Sequence, residues 1–261
     1  MATNEQASES GMNNDKENDM NIQDKTILIT GANRGIGRAL VDEALRRGAK
    51  KVYAGTRSAL EIADERVTPV ALDVTDASQV QKAVEQVGSL DILINNAGIA
   101  IYDDLTNFEV IEKHLAVNFL GLLRVTHAFL PALRRSRGTI VNNLSMVGLA
   151  ALPIIPAYSI SKAAAFNVTQ SLRALLAGEG VRVHAVVLGP IDTDMNRGFD
   201  IPKASRESAA AGIFDGVEKG EDEIFPDPAS LSIAEGWRNG ALKALERQFS
   251  AFVPATPANA A

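Results

Sequence analysis

What most constrains the fold of this chain is a short β-branched run, Thr26 to Thr30, that passes directly into Gly31-Ala32-Asn33-Arg34-Gly35-Ile36-Gly37 and on into a helical pattern. Glycines let a backbone turn tightly and approach a ligand closely. The free N–H groups at the start of the following helix favour a negative charge such as a pyrophosphate. The spacing is Gly-x-x-x-Gly-x-Gly, and no Gly-Lys-Ser/Thr follows, so this is not the loop of the P-loop nucleotidases. A strand, a tight turn and a helix in this order open a βαβ unit.

The remaining sequence continues that alternation. Strands are predicted at 26–30, 51–55, 67–72, 92–94, 139–144 and 181–188, with a weaker one at 223–225. Helical spacing of apolar residues covers 35–47, 77–87, 108–135, 157–178, 205–218 and 231–249. The predicted class is α/β: a single-domain Rossmann fold with a doubly wound parallel sheet of about seven strands and helices on both faces. Residues 1–23 are polar and poor in groups able to bury apolar surface, so they read as a disordered tail, with Met20 a second candidate start. The domain is predicted to span 24–250, and 251–261 to form a flexible Pro/Ala-rich tail.

Composition excludes several functions. There is no cysteine, which removes disulfides, thiol catalysis and Cys-ligated zinc. Formal net charge is −6, but residues 1–24 carry six carboxylates against one lysine, so the body is almost neutral. A near-neutral body without clustered Lys or Arg offers nothing to nucleic acid or an anionic membrane. The apolar runs fall short of the roughly 20 residues a membrane helix needs, and the N-terminus has no cationic start followed by an apolar stretch. The expectation is a soluble, cytoplasmic protein. His114, His127 and His184 lack metal-ligand spacing and read as structural, so no metal site is expected.

Thr30-Gly31-x-x-x-Gly35-x-Gly37, Asn95-Asn96-Ala97-Gly98 after the fourth strand and Tyr158-x-x-x-Lys162 opening a helix occur here in that order. Together they resemble the short-chain dehydrogenases/reductases over nearly the whole span from Asp24 to Phe249. The resemblance implies a nicotinamide cofactor held by Gly31, Asn33, Gly35, Ile36 and Gly37, with Asn95, Ala97 and Gly98 along its adenosine side and Asp73 and Val74 near the adenine. After the sixth strand, Leu188 replaces the family's usual proline, but Gly189 and Thr193 stay in register and Ile191 would give a backbone contact to the carboxamide. An NAD site usually places an acid at the tip of the second strand to bind the ribose hydroxyls. Here that strand ends Gly55-Thr56-Arg57. A guanidinium can fork onto a 2′-phosphate, so Arg57, with Arg34 in the loop, indicates NADP(H) rather than NAD(H).

The i, i+4 spacing of Tyr158 and Lys162 puts phenol and ammonium on one helix face. A free phenol titrates near about 10, and a neighbouring cation is expected to lower that value for acid–base work. By resemblance, Tyr158 is the general acid/base, Lys162 its partner and a ligand of the nicotinamide ribose, Ser145 the hydroxyl that polarises the substrate carbonyl, and Asn118 the helix asparagine whose carbonyl holds a water leading to Lys162. The pocket would be lined by Met146, Val147, Leu149, Leu152 and Ile155, by 99–102, and by Met195, Phe199 and Ile201, with only Arg197 near enough to clamp an anion. The expected activity is an NADP(H)-dependent carbonyl reductase (ketoreductase) or alcohol dehydrogenase acting on a neutral hydrophobic ketone, aldehyde or secondary alcohol. Two alternatives stay open: an NADP(H) sensor or scaffold on the same fold, and an epimerase or dehydratase of the extended branch, which normally begins TGxxGxxG. The family's glycine-rich C-terminal end is replaced by Glu223-Ile-Phe-Pro-Asp-Pro228, which leaves monomer, dimer and tetramer open.

Overall fold

The computed structural model describes residues 21–253 except 59 and 61. Seven parallel strands form one sheet in the order β3-β2-β1-β4-β5-β6-β7. They are β1 (Thr26–Thr30), β2 (Lys51–Thr56), β3 (Val67–Ala71), β4 (Ile92–Asn95), β5 (Thr139–Asn143), β6 (Arg182–Val186) and β7 (Glu223–Ile224). Strand order reverses between β1 and β4, the topological switch point at which open α/β sheets bind ligands beyond their strand ends.

The strands read as apolar runs because both faces of the sheet are covered. Ile27, Ile29, Ile92 and Ile94 point into one core with Leu40 and Val41 of α1 (Gly35–Arg46) and with Ile213 and Phe214 of α6 (Arg206–Glu218). Leu28, Leu93 and Ile140 point the other way. There they meet Val80 and Ala83 of α2 (Ala77–Val87), Val125, Phe129 and Leu133 of α4 (Leu122–Ser136) and Leu172 of α5 (Pro156–Leu176). Burying one side chain the size of Phe129 contributes roughly 1.5–3 kcal/mol.

Four expectations needed adjustment. Ile22 is fully buried in the first core, so the packed body begins before residue 24. Residues 1–20 and 254–261, which hold most of the two expected tails, lie outside the described residues. The helix expected at 108–135 contains a wider turn. It runs as α3 (Phe108–His114), a π-helical segment (Leu115–Gly121) and α4. This combined helix, Phe108–Ser136, is long and apolar enough to cross a membrane by length and composition, contrary to the reading of the apolar runs. Its apolar stripe is already used against the sheet, through Val125, Phe129 and Leu133. The helix expected at 231–249 is two, α7 (Pro228–Arg238) and α8 (Ala241–Ser250), because the chain is extended at Gly240.

Helix α8 is fastened by charge. Lys243, only 3% exposed, lies 2.9 Å from Glu223, 3.0 Å from Glu246 and 3.1 Å from Asp222, and Arg173 of α5 also pairs with Glu223 at 2.8 Å. Removing one member of a buried ion network leaves its partners uncompensated. Lys243→Ala should therefore lower stability in urea unfolding by about 3 kcal/mol, the low end for a broken buried pair because Arg173 still holds Glu223. An unchanged unfolding midpoint would show that the network contributes nothing.

Candidate active site

The glycine loop sits beyond the C-terminal ends of β1 and β4. Gly31 has φ +67° and Gly35 φ +55°, the left-handed region that favours glycine. At Gly37 a Cβ would fall 2.1 Å from the Gly31 carbonyl oxygen, so no side chain fits where α1 meets the loop. Arg34 precedes α1 without a side-chain cap, leaving the first N–H groups of that helix open to a ligand. The Thr30 hydroxyl accepts the backbone N–H groups of Asn96 (2.9 Å) and Ala97 (3.0 Å), and the Asn96 amide donates to the Thr30 carbonyl at 2.9 Å. These bonds lock the β1 loop to the β4 loop.

A cleft of about 590 Å³ opens over this joint. Of the residues expected to hold a cofactor, Gly31, Asn33, Arg34, Gly35, Ile36, Gly37, Arg57, Asp73, Val74, Ala97, Gly98, Tyr158, Lys162 and Thr193 line it. At one end Asn33 donates to the Ser58 hydroxyl at 3.0 Å, beside Arg57. Burial alone would raise the Asp73 carboxyl, but hydrogen bonds from Thr75 and the charge of Arg57 hold it below its ordinary value. Arg34 leans across the cleft to Asp194 at 3.5 Å.

The other end holds Tyr158 and Lys162, the pair expected to do the acid–base work. Tyr158 lies in the first turn of α5, its hydroxyl hydrogen-bonded to Ser145, and Lys162 Nζ is 5.7 Å from the centre of its ring. Lys162 is 5% exposed and donates to the Asn143 carbonyl at 2.8 Å. Burial pushes the ammonium down to about 8. Burial also pushes the Tyr158 phenol up to about 12, and the Ser145 hydrogen bond, which acts the other way, does not offset it. The expected lowering of the phenol is therefore reversed, because loss of water around a phenolate outweighs what its neighbours return.

Asn118 lies in the π-helical segment and is 1% exposed. Its side chain accepts from Ile99 N–H at 2.8 Å and donates to the Ile99 carbonyl and to Ser161, both at 2.9 Å. Ser161 in turn donates to the Tyr158 carbonyl at 2.7 Å. Asn118 thus braces the wall of the cleft against the helix that carries Tyr158. Single π turns inside α-helices occur frequently at functional sites.

Asn95, Gly189 and Ile191 do not line the cleft. Asn95 is buried and donates to Thr126 and Asn142, so it fastens the sheet to α4 and the neighbouring Asn96 takes the place at the cleft. Gly189 N–H is held by Asp227, the cap of α7, at 2.8 Å, and Ile191 is 2% exposed. Met146 and Leu149 turn onto the core beneath, whereas Ile99 and Met195 face the cleft. Arg197 pairs with Asp194, the carboxylate that Arg34 also approaches, so one acid serves two guanidinium groups. Sequence reasoning missed Thr56, Ser58, Asn96, Val117 and Asn143 as cleft residues. The flanking motif residues signalled Ser58 and Asn96, but nothing local marked Val117 or Asn143.

Comparison with known proteins came to the same architecture. The family described as short chain dehydrogenase matches residues 25–203. An oxidoreductase of Salmonella typhimurium, UcpA, is 37% identical over 186 residues, 66% of this chain and 71% of that protein. A 3-oxoacyl-[acyl-carrier-protein] reductase, FabG, of Thermotoga maritima is 35% identical over 210 residues, 74% of this chain and 84% of that one. Among solved structures, a short chain dehydrogenase from Burkholderia cenocepacia in complex with NADP superposes with a TM-score of 0.81 at 37% identity, covering 88% of this chain and 98% of the other.

Proposed function

Because the chain belongs to the short-chain dehydrogenase family, an oxidoreductase family, we propose that it is an NADP(H)-dependent carbonyl reductase acting on neutral ketones or aldehydes with a hydrophobic flank, and on the corresponding alcohols in reverse. The observation that carries this reading is Tyr158, hydrogen-bonded to Ser145 and backed by the Lys162 ammonium, at the end of a cleft that begins at the glycine loop. The cleft suits a dinucleotide: the close approach at Gly37 and the uncapped start of α1 leave backbone N–H groups for the pyrophosphate. NADP is the ligand of the Burkholderia relative, and Arg57, Ser58, Asn33 and Arg34 provide two guanidinium forks and two neutral hydrogen-bonding groups for a 2′-phosphate.

When bound, the cofactor supplies the hydride. Ser145 would donate to the substrate oxygen and hold the carbonyl against Tyr158. A phenol raised to about 12 is protonated at neutral pH, so it is poised to donate its proton to the oxygen as negative charge develops there. Lys162, anchored on the Asn143 carbonyl, stabilises the phenolate left behind and would also hold the nicotinamide ribose. Asn118 keeps Ile99 and α5 in place around them. Apolar Ile99 and Met195 flank the cleft, which favours a neutral substrate with a hydrophobic flank over a keto acid.

An NADPH-oxidation screen over ketones and aldehydes should reveal turnover, and Tyr158→Phe should lower kcat by about a hundredfold or more while leaving NADPH affinity intact. Full activity in that variant overturns the mechanism; tight NADPH binding without any carbonyl turnover would favour a sensor. Arg57→Ala should weaken NADPH by about ten- to a hundredfold and NADH little, as measured by fluorescence titration, and equal effects on both would sink the 2′-phosphate assignment. Lys162 is charged below about 8 and neutral above it, so kcat/KM for reduction should fall as pH rises through that value. A flat profile from pH 6 to about 10 would separate catalysis from the Lys162 charge.

A further inference from the structure

The segment 99–103, which borders the cleft at Ile99, is held at alternate residues. Ile99 gives both backbone groups to Asn118, and the Asp103 carboxylate accepts the Ala157 N–H in the first turn of α5 at 3.2 Å. Between them the Ile101 N–H donates to His114 Nε2 at 3.0 Å. His114 is fully buried. Since Nε2 accepts, the ring proton sits on Nδ1, which donates to the Val110 carbonyl at 2.7 Å, one turn back in α3. The imidazole is thus neutral, with both nitrogens used, and packs edge-on to the Tyr158 ring with centroids 6.3 Å apart and planes at 66°.

A side chain that only filled space at this point would leave the Ile101 N–H without an acceptor, and a buried donor without one is costly. The neighbouring Tyr102 stacks on Phe199 at 5.7 Å, so the position of Ile101 is passed to the contact that joins this segment to the loop 194–204, whose Asp194 and Met195 line the cleft. We propose that His114 is a positioning residue: by holding Ile101 it sets the distance between the 99–103 wall and Tyr158, and with it the room for the apolar group beside the substrate carbonyl. The proposal rests on the reductase reading for its substrate, but the latch itself does not.

His114→Phe keeps an aromatic ring beside Tyr158 and removes the acceptor, whereas His114→Gln offers a carbonyl oxygen in its place. His114→Phe should raise KM for a bulky apolar ketone about tenfold, with kcat and NADPH affinity within about twofold of wild type. Amide exchange across 99–103, followed by mass spectrometry, should speed up in the same variant. His114→Gln should restore both KM and exchange. A wild-type KM and unchanged exchange in His114→Phe overturn the proposal, as does a parallel loss of kcat, KM and NADPH affinity that His114→Gln does not repair. Should His114→Phe fail to fold, His114→Gln decides alone, since faster exchange or a raised KM there contradicts an acceptor role. A wild-type chain that reduces no carbonyl defeats the reductase reading, and the exchange arm still decides the latch.

Discussion

The site depends on a hydrogen-bonded joint at the switch point of the sheet. Thr30 accepts two backbone N–H groups from the β4 loop, and Asn96 donates back to the Thr30 and Gly31 carbonyls. Asn96 also accepts from the Asn143 amide at 2.9 Å, and the Asn143 carbonyl is the acceptor for Lys162. The glycine loop and Lys162 are thus linked through one asparagine on β5. Buried polar groups are expensive unless satisfied, so this joint tolerates few alternative arrangements. It fixes the glycine loop relative to α5 without calling on any flexible side chain at the surface.

The same burial that makes the joint rigid tunes the chemistry. Tyr158 and Lys162 are pushed in opposite directions, the phenol up and the ammonium down, because removing water disfavours the charged form of each. An exposed pair would sit near ordinary values, where phenol and ammonium are almost matched. Here burial moves the two apart, so the phenol stays protonated in the resting state while the ammonium gives up its proton more readily. In the proposed reaction the lysine acts on the phenolate once it forms.

Legibility in the sequence follows from locality. Strands β1, β2 and β4 and the glycine turn were readable because their residues and their context are adjacent in the chain, and Tyr158 with Lys162 because four residues make one helical turn. Asn95 was misplaced by one position: both asparagines of the pair are polar, and only the alternation of side chains along β4 decides that Asn95 faces Thr126 while Asn96 faces the cleft. The phenol's shift was misjudged because spacing reveals a neighbouring charge but not the amount of water removed. His114 looked structural because Ile101 and Tyr158 are brought to it only by tertiary packing, Val110 being its one local partner.

The π-helical segment reconciles two demands on one long helix. An α-helix advances about 100° per residue, so the nineteen steps from His114 to Leu133 would leave those side chains about 100° out of line. A π turn takes up roughly one extra residue, which cancels that drift. His114 and Asn118 therefore face the cleft wall and α5 while Val125, Phe129 and Leu133 stay on the sheet. Without the wider turn, either the sheet contact or the bonds to Ile99 and Ile101 would be lost. A helix whose apolar stripe alone predicts a plain core element is thereby also the frame for the substrate side of the site, and the local irregularity is what allows both.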